Sequence, residues 1–484
     1  MSHYKVVLGF ILLSIGFHCY ADNENMTFFP IEDYSQKISH WFNPSQKNYS
    51  TNLLTQSYQQ KRLRELEHTY FGTMPRDHSL WSPTYVTFIL NKNKNLPHLI
   101  QTTLGNFDNQ KQTEKNIVFG VNYRPYTHAW IKNIQDNINL SSFQHMYYLA
   151  QNRAIATENL PLRIIPTDDP AYYSSHIAGE GYPFDNIQTS VVYVGMPLYL
   201  LGTTRDKAWS LVMTPDCIGW MRSSGVARVS STFVAQWQSA AYERLIGIKR
   251  TNISILDLKG NYRFSAYVGM IFPESHDSAE TTEILIPVKS ENGSASIRTG
   301  VVSSNDVALL PWSASREHFA EIFNVLKGRG YGWGGLEFNN DCSAEMKAIF
   351  TLFGIFMPRN TQSQGLAGYL VDISHLSSQE RAKYLIKKGV PLLTLIHVKG
   401  HILLYVGAYK NKRGQAFPLS YQQVWSLYPK DKSSRSVIGQ AVFLPLLSYY
   451  SQNPHLASQL DNEVFQLVYL NQWPVTPLIQ TLSF

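Results

Sequence analysis

Cysteine is scarce in this chain: Cys19, Cys217 and Cys342 are all there is in 484 residues, with no repeating spacing. That excludes a disulfide framework as the source of stability. Charged residues are also few, at 16%, while 44% of residues are hydrophobic and 13% aromatic, which excludes a disordered chain. Material of this kind supports several cores, about two to four domains. Long apolar runs are missing beyond residue 17, so after the N-terminus nothing reaches the ~20 residues that a membrane-spanning helix needs, and no integral membrane segment is expected. The formal net charge of +7 suits contact with a polyanionic polymer, although a weak basic excess also serves solubility. No nucleic-acid partner is expected.

The N-terminus is the exception to the shortage of apolar runs. Lys5 precedes an apolar stretch over 6–17, then Cys19-Tyr20-Ala21, then polar sequence from Asp22. This reads as a secretory leader over 1–21, which implies an exported protein, periplasmic or extracellular. A transmembrane anchor is the rival, but the run is short for it. Lipid attachment at Cys19 would anchor the protein instead, against the bulky Phe17 and His18 before it. Leader removal leaves Cys217 and Cys342, which either pair with each other or include a working thiol.

The texture changes along the chain. Residues 22–165 are polar and Asn/Gln-rich, with helices expected over 56–68 and 141–155, and read as a mixed, partly helical N-terminal domain. From Pro166 the pattern becomes short β-type runs broken by Gly, Pro, Asp and Ser, as in small barrels. Tyr193-Val194-Gly195-Met196 returns as Tyr267-Val268-Gly269-Met270, consistent with two tandem barrels over 166–240 and 241–313. Trp209 and Trp220 are expected in a barrel core, and Cys217 as a buried small residue. Residues 314–450 carry a helix over 316–327, a Gly-rich turn, a second helix from Cys342, and strands over 391–396 and 401–407, an α+β arrangement. Residues 451–484 read as a C-terminal extension without chemistry.

The chemistry concentrates in the third region. Asp341-Cys342-Ser343 follows Tyr331-Gly332-Trp333-Gly334-Gly335, and Met346, Ile349, Phe350 and Phe353 follow at helical spacing. Cys342 therefore falls in the first turn of an amphipathic helix, where the helix field favours thiolate. A thiolate nucleophile needs a base. His401 opens a β-branched, apolar run, whereas His397 lies before a Lys-Gly turn, so His401 is the better candidate. The two histidines are four apart, as helix-borne zinc ligands are, but Gly400 breaks a helix and no Glu follows the first, so no metal is expected. Gln422, on the next strand-like segment, is the candidate to orient the imidazole; the competing reading is a solvated strand residue.

These residues carry a resemblance. The string from Tyr331 through Cys342 to Gln364, with Gly400-His401-Ile402-Leu403-Leu404-Tyr405-Val406-Gly407, resembles the NlpC-type (p-sixty) cysteine peptidases of bacterial cell walls. Upstream, Leu162-Arg163-Ile164-Ile165-Pro166-Thr167, Gly179-Glu180-Gly181-Tyr182-Pro183-Phe184-Asp185, Gly195-Met196-Pro197 and Gly219-Trp220 resemble the subgroup with an N-terminal domain and two bacterial SH3-like barrels before the peptidase. The resemblance implies a papain-like α+β peptidase domain behind those modules. It also implies hydrolysis of the bond between γ-D-glutamate and a diamino acid in peptidoglycan stem peptides, without metal or cofactor.

By matching position, the resemblance makes Cys342 the nucleophile and His401 the base. It places Tyr331, Asp341 and Ser343 at the L-Ala-D-Glu end of the pocket, with Asp341 facing a free amino terminus. Thr361, which stands where relatives have Ser, and Gln364, which matches the pattern, are implied as substrate contacts as well. Ala344 in place of Gly, Gln422 in place of His and Ser426 in place of Gly depart from it. Those departures motivate an alternative: a non-catalytic wall-binding protein with a decayed peptidase domain. A third possibility is the same thiol chemistry on a different amide.

Overall fold

The structure, a computed structural model, describes residues 26–72, 77–144, 146–177, 179–411 and 414–475. The leader expected over 1–21, with Cys19, lies outside the described residues. Among them, no helix is long and apolar enough to cross a membrane.

The fold is α+β: three seven-stranded sheets with helices between and upon them. The first sheet runs, in spatial order, Gln188–Val192, Leu160–Arg163, Ile218–Arg222, Trp209–Met213, Pro197–Thr203, Arg153–Ala156 and Val226–Arg228. Trp209 and Trp220 are buried in its core. This sheet begins earlier than the boundary at 166, and the change removes a predicted helix. Over 141–155 the backbone forms only short 3-10 turns at Leu140–Phe143 and Ala150–Asn152, then enters the strand Arg153–Ala156. Ala154, Ile155 and Ala156 are fully buried between the strands Pro197–Thr203 and Val226–Arg228, so sheet packing overrides local helical spacing.

The second sheet runs Tyr262–Ala266, Ile253–Asp257, Ala295–Ser303, Thr281–Lys289, Ile271–Asp277, Leu245–Ile248 and Val307–Leu309. The helix Ser231–Glu243, capped by Ser230 Oγ on the Phe233 N–H at 3.0 Å, joins it to the first. The four-residue echo is one turn built twice. In each copy glycine is left-handed, Gly195 at φ +87° and Gly269 at φ +86°, and the Met N–H returns to the Tyr carbonyl at 3.1 Å. The two turns face each other, with the Tyr193 and Tyr267 rings 5.8 Å apart. A Cβ on Gly269 would sit 2.7 Å from the Ala348 Cα, so the second turn rests directly on the helix that starts at Cys342.

The third sheet runs Met26–Phe28, Arg435–Pro445, Ala416–Leu427, His401–Lys410, Thr394–Val398, Phe465–Tyr469 and Tyr369–Asp372. Helices Arg316–Leu326 and Cys342–Leu352 are present as the sequence pattern requires. They pack on it through Phe319, Phe323, Phe350 and Phe353, all at 0% exposure. Full burial of each such ring contributes ~1.5–3 kcal/mol, which fixes the cysteine helix against the histidine strand. The segment after residue 450 is not an appendage. Its strand Phe465–Tyr469 sits inside this sheet, bonded on one side to Thr394–Val398 and on the other to Tyr369–Asp372.

Candidate active site

Cys342 is the first residue of its helix because Asp341 caps it: the Asp341 Oδ1 accepts the Ala344 N–H at 2.9 Å. The preceding turn can approach the first barrel only because it lacks side chains. Gly334 and Gly335 have φ of +61° and +85°, and a Cβ on either would lie 2.6 Å from the Gln188 carbonyl oxygen or 2.4 Å from Val191 Cγ2. The Gly-rich signal in the sequence is thus a docking surface for the first barrel, and it places Tyr331 and Trp333 beside Cys342.

A cleft of about 240 Å³ holds both Cys342 and His401, with Tyr331, Trp333, Trp425 and Gln459 in its walls. Phe184 also lines it. That ring comes from the first barrel and stands 5.3 Å from Trp333 and 6.1 Å from Tyr331 and Trp425, so the cleft is built by two domains.

Behind the imidazole is a fixed polar network. Ser420 Oγ donates its only proton to the Leu444 carbonyl at 2.8 Å, so toward Gln422 it acts as acceptor, and Gln422 Nε2 donates to it at 2.9 Å. The other end of that amide, Oε1, is thereby turned to His401 Nε2 at 2.8 Å. A carbonyl oxygen accepts only, so Nε2 carries the imidazole proton and Nδ1 keeps its lone pair. Gln422 is fully buried and is not a solvated strand residue. Gln459 completes the network as a reciprocal amide pair: its Nε2 donates to Gln422 Oε1 at 2.8 Å, and its Oε1 accepts from Gln422 Nε2 at 3.1 Å. Sequence reasoning missed Gln459, which lies in the segment read as free of chemistry. The available signal was the β-type run just after it, which ties that segment to the sheet.

Protonation differs from the expected thiolate. Burial pushes the Cys342 thiol up to about 12, with the Asp341 charge adding to the rise, and hydrogen bonds from the Ile402 and Ser343 amides offset only part of it. Desolvation of a thiol that is 7% exposed outweighs the helix field. Burial also lowers His401, against the Gln422 hydrogen bond and the Asp341 charge, which act to raise it. The resting pair is a neutral thiol beside a neutral imidazole with a free basic nitrogen.

Of the five residues expected to contact substrate, the structure brings only Tyr331 to this cleft. Burial works to raise the Asp341 carboxyl, but Arg359 and the surrounding hydrogen bonds hold it below the usual carboxylate range. Its Oδ1 accepts from Arg359 Nη1, Ser343 Oγ and the Ala344 amide, all at 2.9 Å. Its Oδ2 accepts from Arg359 Nη2 at 2.6 Å and the Gly334 amide at 3.1 Å. With five donors already placed, the carboxylate has no lone pair for an amino terminus. Ser343 is buried in the same network. Gln364, fully buried, donates from Nε2 to the Ser343 and Pro358 carbonyls at 2.7 and 2.8 Å and so braces the first turn of the cysteine helix. Thr361 opens the short helix Thr361–Gln364 behind that turn. His397 is held by Gln466 at 3.0 Å and does not line the cleft. Cys217 and Cys342 are both free thiols.

An acidic-capped helix that begins at a cysteine, a strand histidine in the same cleft and a third polar side chain behind the imidazole are the parts that a papain-like thiol site requires. Comparison with known proteins makes that class particular. Residues 170–222 match the family described as SH3 domain (SH3b1 type), and residues 230–279 match the SH3 domain of SH3b2 type. The chain is similar to the solved structure of a novel NlpC/P60 endopeptidase from Photobacterium damselae subsp. piscicida, with 26% identity and a TM-score of 0.76 over 93% of this chain and 100% of that one. A Bacillus cereus NlpC/P60 family protein matches at 15% identity and a TM-score of 0.41, covering 63% of this chain and 98% of that one. No protein of curated function matches the chain. The chain has the NlpC/P60 architecture, with two bacterial SH3 domains ahead of the thiol domain.

Proposed function

We propose that this protein is an exported cell-wall endopeptidase that hydrolyses the bond between γ-D-glutamate and the diamino acid of peptidoglycan stem peptides. The His401–Gln422 hydrogen bond carries the reading, because it leaves the basic Nδ1 of His401 in the cleft that holds the Cys342 thiol. In the first step the thiol proton passes to Nδ1 as sulfur attacks the γ-glutamyl carbonyl. The imidazolium returns that proton to the diamino acid nitrogen as the C–N bond breaks, leaving a thioester on Cys342. Water, deprotonated by the now neutral His401, releases the glutamyl acid and restores the thiol. Gln422 holds the imidazole throughout but, being neutral, gives the imidazolium less support than a charged partner would.

The cleft's volume of about 240 Å³, closed by Phe184 from the first SH3 domain, supports a short, trimmed peptide as substrate rather than intact wall. The buried, fully protonated thiol favours one other reading, a wall-binding protein without peptidase activity. Mass spectrometry of the exported chain, residues 22–484, incubated with L-Ala-γ-D-Glu-diaminopimelate separates the two. Endopeptidase activity releases L-Ala-D-Glu from the wild type and not from Cys342→Ala; a binding protein releases none from either.

A further inference from the structure

A second concavity, of about 480 Å³, opens on the other side of the loops that wall the catalytic cleft. Its faces come from three parts of the chain: Tyr123, then Tyr172, Tyr173, His176 and Tyr182 of the first SH3 domain, then Glu337. The Tyr123 ring is 78% exposed and Tyr182 59% exposed. Tyr123 is presented by a built turn. The Phe119 and Tyr172 backbones exchange hydrogen bonds at 2.8 and 2.9 Å, the Gly120 N–H closes on the Arg124 carbonyl at 3.0 Å, and Tyr123 itself is left-handed at φ +59°. Glu337, on the opposite wall, is left-handed too at φ +53°. Non-glycine residues held in that region on both walls mark a shape that the surroundings enforce.

The lining chemistry selects the occupant. Among the described residues its lining contains no Lys or Arg and one carboxylate, Glu337, so an anionic peptide or phosphate polymer would meet repulsion and no counter-charge there. Exposed tyrosine faces with hydroxyl, imidazole and carboxylate groups at their rims suit a neutral, flat ligand with an apolar face and hydroxyl edges, which describes a pyranose ring. Position argues for the same polymer as the cleft. Gly179, Phe184 and Trp333 line the cleft, and Gly181, Tyr182, Leu336 and Glu337, on the same two loops, line the groove.

We infer that this groove binds the neutral amino-sugar part of a murein fragment whose stem peptide enters the catalytic cleft. The inference rests on the proposed murein substrate, and its test does not depend on cleavage. Calorimetric titration of full-length exported Cys342→Ala protein with N,N′-diacetylchitobiose, a neutral, peptide-free disaccharide of the murein amino sugar N-acetylglucosamine, reads the groove alone. Saturable binding is expected. Weakening of at least about tenfold is expected in Tyr123→Asn, which tolerates the left-handed backbone but removes the ring, and in Tyr182→Leu, with Tyr123→Phe remaining close to the parent. Absence of binding by the parent, or equal binding in the parent and both ring-removing variants of unchanged melting temperature, would overturn the inference. Binding of the sugar by a protein whose wild type cleaves no stem peptide would sink the proposed activity while leaving the groove standing.

Discussion

At the scale of single residues, the chemistry turns on where His401 keeps its proton, and two glutamines and a serine decide it. Gln422→Leu removes the acceptor at Nε2 and frees the ring to adopt the other tautomer. We expect kcat to fall by roughly 10²–10⁴ with KM little changed, in steady-state assays on the tripeptide. Gln459→Leu leaves Ser420 holding the Gln422 amide, so the fall should be about tenfold or less; an equal loss in both variants would contradict this division. The pH dependence has a definite sign. A histidine whose folded value is depressed stays neutral until pH falls through that value, so the acid limb of kcat/KM should lie below 6.5, the ordinary imidazole value. A thiol raised by burial stays protonated, so iodoacetamide alkylation of Cys342 in the free enzyme should climb with pH without levelling off up to the ordinary thiol value of 9.0. A plateau near neutral pH would mean a preformed thiolate.

At the scale of elements, the cysteine helix is positioned by its Asp341–Arg359 pair and by the glycine turn before it. Arg359→Met leaves the Asp341 carboxylate buried without its partner, and chemical denaturation should register a loss of ~3–5 kcal/mol. Much of this was legible in the sequence. The cysteine helix announced itself through Met346, Ile349, Phe350 and Phe353, and the histidine strand through its β-branched run. What was not legible depends on contacts distant in sequence. Nothing next to Asp341 indicates that Arg359, 18 positions on, fills its acceptors, and so turns an expected substrate contact into a structural brace. Gln459 has no local motif, and its place beside Gln422 exists only once Phe465–Tyr469 has entered the sheet. The stretch over 141–155 failed for the opposite reason: its spacing suits a helix, but burial between two strands of the first barrel decides its ending.

At the scale of the whole molecule, the SH3 domains are part of the site's architecture. Lys347, on the cysteine helix, pairs with Asp216 of the first SH3 domain, and the second domain's Gly269 turn rests on Ala348 of that same helix. The first domain also supplies Phe184 to the cleft. Phe184→Ala should therefore raise KM for the tripeptide about fivefold, the equivalent of ~1 kcal/mol of aromatic contact, with kcat nearly unchanged. An unchanged KM would mean that the domain merely adjoins the cleft. The strand Met26–Phe28 takes part as well, pairing in parallel with Arg435–Val437 at the sheet's edge.

The first measurement to make is mass spectrometry of wild-type and Cys342→Ala protein incubated side by side with L-Ala-γ-D-Glu-diaminopimelate and with intact sacculi. Release of L-Ala-D-Glu from the free peptide by the wild type alone, with few disaccharide-L-Ala-D-Glu muropeptides generated in the sacculi, is the expected result. Cleavage by Cys342→Ala, or no cleavage of either substrate by the wild type, would contradict the thiol endopeptidase mechanism.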